Sequence, residues 1–103
     1  MTEIEKLYEL AGVEKEITRT NAGFVYPPFT AEKQIELIKW LAIKGDFDYT
    51  LDIAKNTDAY YTMYFDDTRW TCKTFEETLA GLINSMWNKL TEAERNEIRE
   101  ILK

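Results

Sequence analysis

The sequence predicts an α+β fold in which helices cover one face of a three-stranded antiparallel meander. Three observations carry this expectation. Residues 47–74, FDYTLDIAKNTDAYYTMYFDDTRWTCKT, hold strand segments whose side chains alternate with a period of two. Threonine precedes glutamate by three positions at Thr2-Glu5, Thr74-Glu77 and Thr91-Glu94, the pattern of a capping box. Phe75, Leu79, Leu82, Ile83, Met86, Trp87 and Leu90 recur at helical spacing. An apolar sheet face needs cover, and the helices are what can supply it. The expected order is α, short β-hairpin, α, βββ, α, α within one domain spanning 1–103.

The elements follow from local signals. Thr2 starts the first helix, Ile4, Leu7, Tyr8 and Ala11 share one face, and Gly12 suits the position just past its end. Residues 13–26 carry mixed signals and are read as a peripheral hairpin turning at Asn21-Ala22-Gly23. Thr30 caps a second helix, 31–44, with Ile35, Ile38, Leu41 and Ala42 as its inner stripe. Leu37, Trp40 and Ile43 widen its apolar arc, and Gly45 closes it. Thr91 opens a terminal helix with Ile98, Ile101 and Leu102 on one side.

Within the meander, Phe47, Tyr49, Leu51 and Ile53 alternate with Asp48, Thr50 and Asp52, and Tyr61, Met63 and Phe65 with Tyr60, Thr62 and Tyr64. Keeping apolar residues on one face selects the register. A turn at Asp67-Thr68 pairs Phe65 with Trp70 and Met63 with Cys72. A three-residue loop, 56–58, places position 48 opposite 66 and 46 opposite 68. Asp46, Asp48, Asp66 and Asp67 then crowd one end of the sheet.

Composition excludes several chemistries. There is no histidine, so the commonest general base and the commonest metal ligand are missing. The single cysteine, Cys72, forms neither an internal disulfide nor a CxxC zinc site, and it falls on the apolar face as a structural thiol. No phosphate-cradling glycine cluster or nucleophile elbow is present. No cofactor is expected. A net charge of −6 argues against direct nucleic-acid or anionic-membrane binding and permits a basic partner. No run reaches the length of a membrane span, and the charged start MTEIEKLYEL is unlike a signal peptide, so a cytoplasmic protein is expected.

Two groups of residues remain as candidates. The four aspartates offer hard oxygen ligands for calcium or magnesium, a contact for a basic partner, or a mimic of phosphates. Their plainer reading is solvated turn residues beside Arg69 and Lys73. The second group is the outer sheet face, where Tyr60, Thr62 and Tyr64 lie with Thr71, Asp48, Thr50, Asp52 and Lys73. Tyrosine among small polar residues suits protein contact. The plainer reading there is that a helix covers part of the face.

Pro28-Phe29-Thr30-Ala31-Glu32 opening a helix with Trp40-Leu41, the pair Tyr60–Phe65 and Trp70-Thr71, and the helix start Thr74–Ala80 together resemble the phage ABA-sandwich domain. The resemblance covers roughly residues 1–90, and the terminal helix 91–103 departs from it. It implies a helix–sheet–helix layering and a phage or prophage setting, and brings no catalytic residues. The expected function is that of a non-enzymatic accessory protein that binds another protein, inhibiting a host or defence factor, through Tyr60, Thr62, Tyr64, Asp46, Asp48, Asp66 and Asp67. A self-associating structural domain and a small-ligand-binding protein are the alternatives, so a homo-oligomer is open.

Overall fold

The computed structural model describes residues 1–17, 23–53 and 59–103. Helix α1 spans Glu3–Ala11 and is followed by a hairpin of β1, Glu16–Ile17, and β2, Phe24–Val25. Helix α2 covers Ala31–Lys44. The meander is β3, Phe47–Ile53, β4, Ala59–Phe65, and β5, Thr68–Cys72, in the order β3-β4-β5. Helix α3, Phe75–Met86, runs into a 3₁₀ turn at Trp87–Lys89, and α4 spans Glu92–Leu102. The α+β class and the element order are those predicted. The long third helix is shorter than expected, because its last turn tightens from Trp87 and Leu90 lies beyond it.

The predicted faces hold, but the predicted pairs do not. The second turn lies at Asp66-Asp67, so Phe65 faces Thr68, Met63 faces Trp70 and Tyr61 faces Cys72. Across the first hairpin Phe47 faces Phe65 and Asp48 faces Tyr64, with Ile53 and Ala59 the last pair. Both registers differ from expectation by two residues. A slip of two leaves every side chain on its own face, so hydrophobic patterning does not resist it. The turn decides instead. Asp66 takes φ 51°, a left-handed conformation that aspartate tolerates better than most residues. Its N–H donates to the Asp46 carbonyl at 2.9 Å and its carboxylate accepts the Asp46 N–H at 3.0 Å. The predicted 56–58 loop lies outside the described residues, as do Asn21 and Ala22 of the predicted turn between β1 and β2.

All helix packing is built on the apolar sheet face. Helix α3 lies against β4 and β5, α1 packs on α3, α4 reaches α1, and α2 joins α4. Being covered on both sides, α3 is buried almost all round, from Thr78 through Asn84 and at Met86. Gly81 makes the close approach possible, because the Trp70 indole occupies the space its Cβ would need. Met63, Leu79, Leu82, Ile83, Leu7, Tyr8, Leu37, Leu41, Ile98 and Leu102 are fully buried in one core. Fully burying one such side chain is worth about 1.5–3 kcal/mol.

Helix α2 presents a different stripe from the predicted one. Leu37, Trp40 and Leu41 are buried, whereas Ile35 is 51% and Ile43 83% exposed, and Ala42 is exposed. A helix apolar over a wide arc leaves the choice of arc to tertiary packing. Of the three capping boxes only Thr91-Glu94 closes in both directions. Thr2 and Thr74 cap their helices, but Glu77 reaches away to accept the Glu3 N–H at 2.8 Å. Gly12 ends α1 at φ 73°, with its N–H and that of Val13 returning to the last carbonyls of the helix.

Candidate functional site

Strand alternation sorts the meander into two chemistries. Tyr49 and Tyr61 meet the Phe75 ring edge-on at 5.6 and 5.7 Å, so the odd-numbered residues face α3. The even-numbered residues of β3 and β4 therefore point outward, with Arg69 and Thr71 of β5. Three rows cross this outer face. Asp48, Tyr64 and Arg69 form one, Thr50, Thr62 and Thr71 the next, and Asp52 and Tyr60 the third. The Thr62 and Thr71 hydroxyls lie 2.9 Å apart and share a hydrogen bond.

The face is open. Asp48, Thr50, Asp52, Arg69 and Thr71 are exposed, Tyr60 is 38% exposed and Tyr64 is half-buried. Thr62 is buried, because it is the central residue of the central strand and its neighbours stand around it. The layering implied by the ABA-sandwich resemblance puts cover on both sheet faces, whereas the helices here stack on one. Tyr60 and Tyr64, four positions apart on one strand, stand roughly 13 Å from each other with the threonine row between them. Carboxylates line the β3 side of the face and the Arg69 guanidinium the β5 side.

The structure divides the seven predicted residues. Tyr60, Thr62, Tyr64 and Asp48 share the outer face. Asp46, Asp66 and Asp67 sit at the end of the sheet, and position 48 is not opposite 66 as expected. Gly45 lets this end close up: a Cβ there would lie 2.8 Å from both an Asp66 carboxylate oxygen and the Phe65 ring. Asp66 and Asp67 also border a cleft of about 280 Å³ with an apolar floor of Trp40, Phe65, Met86 and Leu90. Thr68, Lys44, Lys89 and Glu94 complete its lining, so the acidic end is not a surface of one sign. Among the described residues no three acidic or cysteine side chains converge as a metal site.

Lys44 and Lys89 were not picked out by sequence reasoning. Lys44 stands two residues before Asp46, which was the available signal; Lys89 had none. Behind the cleft, Trp40 donates its indole N–H to Glu97, and Lys44 lies 3.3 Å from the same carboxylate. The Trp40 hydrogen bond, with Lys44, holds Glu97 below the usual carboxylate range against a smaller opposing effect of desolvation. Cys72 is half-buried and accepts the Trp70 indole N–H at 3.2 Å. No protein-family model matches the sequence, and neither a curated protein nor a solved structure matches it.

Proposed function

We propose that the chain is a non-enzymatic binding domain that engages a protein partner through the outer face of the meander. The observation that carries this reading is the uncovered row structure of that face, with Tyr60 and Tyr64 on the central strand and every helix stacked behind it. Tyrosines supply apolar area and a hydroxyl with little side-chain entropy to lose, which suits protein contact. Asp48 and Asp52 favour a partner that is basic where it meets β3. The phage or prophage setting, and the inhibition of a host or defence factor, rest on the sequence resemblance alone. The test is an affinity pull-down from a host lysate with the wild-type chain and with Tyr60→Ala/Tyr64→Ala. A partner retained equally by both, with the variant folded, removes this face from the proposal.

A second reading is self-association through α2. It is favoured by the exposure of Ile35 and Ile43, two turns apart on one side of that helix. Sedimentation at increasing concentration separates the two readings, since a single monomeric species at all concentrations disposes of the second.

A further inference from the structure

The outer edge of β3 is an open hydrogen-bonding row with an unusual composition. Asp66 N–H bonds the Asp46 carbonyl, so in the alternation of an antiparallel ladder residues 48, 50 and 52 direct their backbone groups toward β4. Tyr49, Leu51 and Ile53 then direct theirs away from the sheet. Tyr49 bears this out: its N–H is taken not by β4 but by the Asp48 carboxylate at 2.8 Å. No strand pairs with this edge among the described residues. The apolar side of the same strand is also incompletely covered, because α3 lies over β4 and β5. Tyr49 is 50%, Leu51 47% and Ile53 74% exposed. A long edge strand with bare apolar side chains is a template for strand addition.

We infer that β3 accepts an added antiparallel strand from a partner protein that carries basic residues opposite Asp48 and Asp52 and apolar residues opposite Tyr49, Leu51 and Ile53. This rests on the protein-binding role proposed above but uses the sheet edge, not the tyrosine face. From its N-terminus the partner segment reads apolar, basic, apolar, any, apolar, basic, because an antiparallel strand meets Ile53 first and Asp48 last. Positions 48 and 52 belong to the non-hydrogen-bonded pairs of the new ladder, where facing side chains come closest, so opposite charge has its greatest effect there. The Asp48 carboxylate guards the edge in the free protein and turns to the basic residue when the strand arrives.

Charge selects this occupant over a second copy of the chain. Copies matching apolar to apolar about Thr50 set Asp48 against Asp52 twice. Matching about Tyr49 sets Asp46 against Asp52. Matching about Leu51 avoids opposed carboxylates but sets Asp52 of each copy against Thr50 of the other, so no opposite charge is gained. Each copy also brings a net charge of −6.

The probe is the blocked peptide acetyl-Val-Lys-Val-Thr-Val-Lys-Val-amide, with a control carrying glutamate for lysine, titrated into the ¹⁵N-labelled chain. The expected result is that the Tyr49, Leu51 and Ile53 amides shift and gain exchange protection with the lysine peptide, and that the glutamate peptide binds roughly tenfold or more weakly. Leu51→Pro removes one outward N–H without touching the β4 ladder, and Asp48→Lys/Asp52→Lys reverses the charge; both abolish the response while leaving the rest of the spectrum in place. Equal response to both peptides, shifts confined to Tyr60 and Tyr64, or a β3-mediated dimer by sedimentation each overturns the inference. The pull-down with Tyr60→Ala/Tyr64→Ala is scored independently, so the edge and the face fail separately.

Discussion

The Trp40 indole N–H donates to the Glu97 carboxylate, fastening α2 to α4 across 57 positions of sequence. Because this bond favours the charged carboxylate, the Glu97 pKa is depressed in the folded chain. The stability it contributes is complete above the ordinary carboxylate range and is lost as pH falls through the depressed value. An acid titration followed at the Trp40 indole resonance should therefore show a transition below the ordinary carboxylate range. Glu97→Gln, which keeps an acceptor oxygen, should erase the transition.

Tyr8 gives the opposite sign at the other end of the scale. Burial pushes its phenol from 10.0 up to about 12. The neutral form is the one that folds, so its contribution is whole below pH 10.0 and is lost as pH rises through about 12. Absorbance titration should find one tyrosine ionising late, and Tyr8→Phe should remove it. That variant also deletes the hydroxyl bond to the Pro28 carbonyl, 3.3 Å long, at a cost of about 0.5–1.5 kcal/mol.

Glu77 serves as a cap for a helix other than its own. Glu77→Ala should cost about 1–2 kcal/mol in denaturant unfolding, because the Glu3 N–H loses its acceptor. Glu76→Ala is the control. It removes the same charge from the first turn of α3 but no tertiary bond, and should cost distinctly less.

At Gly81 the contact with Trp70 leaves no room for a methyl group. Gly81→Ala should destabilise the chain by about 1–3 kcal/mol, despite the better helix propensity of alanine. The Trp70 indole resonance should move in the same variant, locating the disturbance at the helix–sheet contact.

For the outer face, Tyr60→Ala/Tyr64→Ala should leave the circular dichroism spectrum unchanged and abolish capture of the protein partner. Neither side chain contributes to the central core, which lies on the opposite side of the sheet.

The elements were legible because their signals are local. Threonine caps, Gly12 and the two periodicities act within a few residues, and they located four helices and the meander. The two-faced character of β3 and β4 was legible for the same reason. What escaped was set by contacts at long range. Hydrophobic alternation fixes strand register only to a multiple of two, so the turn at Asp66-Asp67 needed the Asp46 contact to choose it. The buried arc of α2 depends on where α4 lies, and Glu77 leaves its own capping box for a helix 74 positions earlier. Asp48 parted from the other three aspartates because the β3–β4 register lies two residues from the expected one, which sets Asp48 opposite Tyr64 and leaves Asp46 bonded to Asp66. The bare apolar side of β3 left no trace in the sequence, since its alternation reads as an ordinary core strand.

The cover of α1 has a consequence for the order of events in folding. Its first N–H is bound by Glu77, its Glu3 carbonyl by Asn84, and its apolar side rests on α3. During synthesis α1 leaves the ribosome before α3 and has nothing to rest on until α3 has followed it. Nine residues make a helix too short to persist alone in water. The meander, whose strands pair with their immediate neighbours in the chain, is free to form in the interval. Helix α1 is thus made before the meander and settles after it, and any pause before residue 86 prolongs the time for which Leu7 and Tyr8 meet solvent or a chaperone.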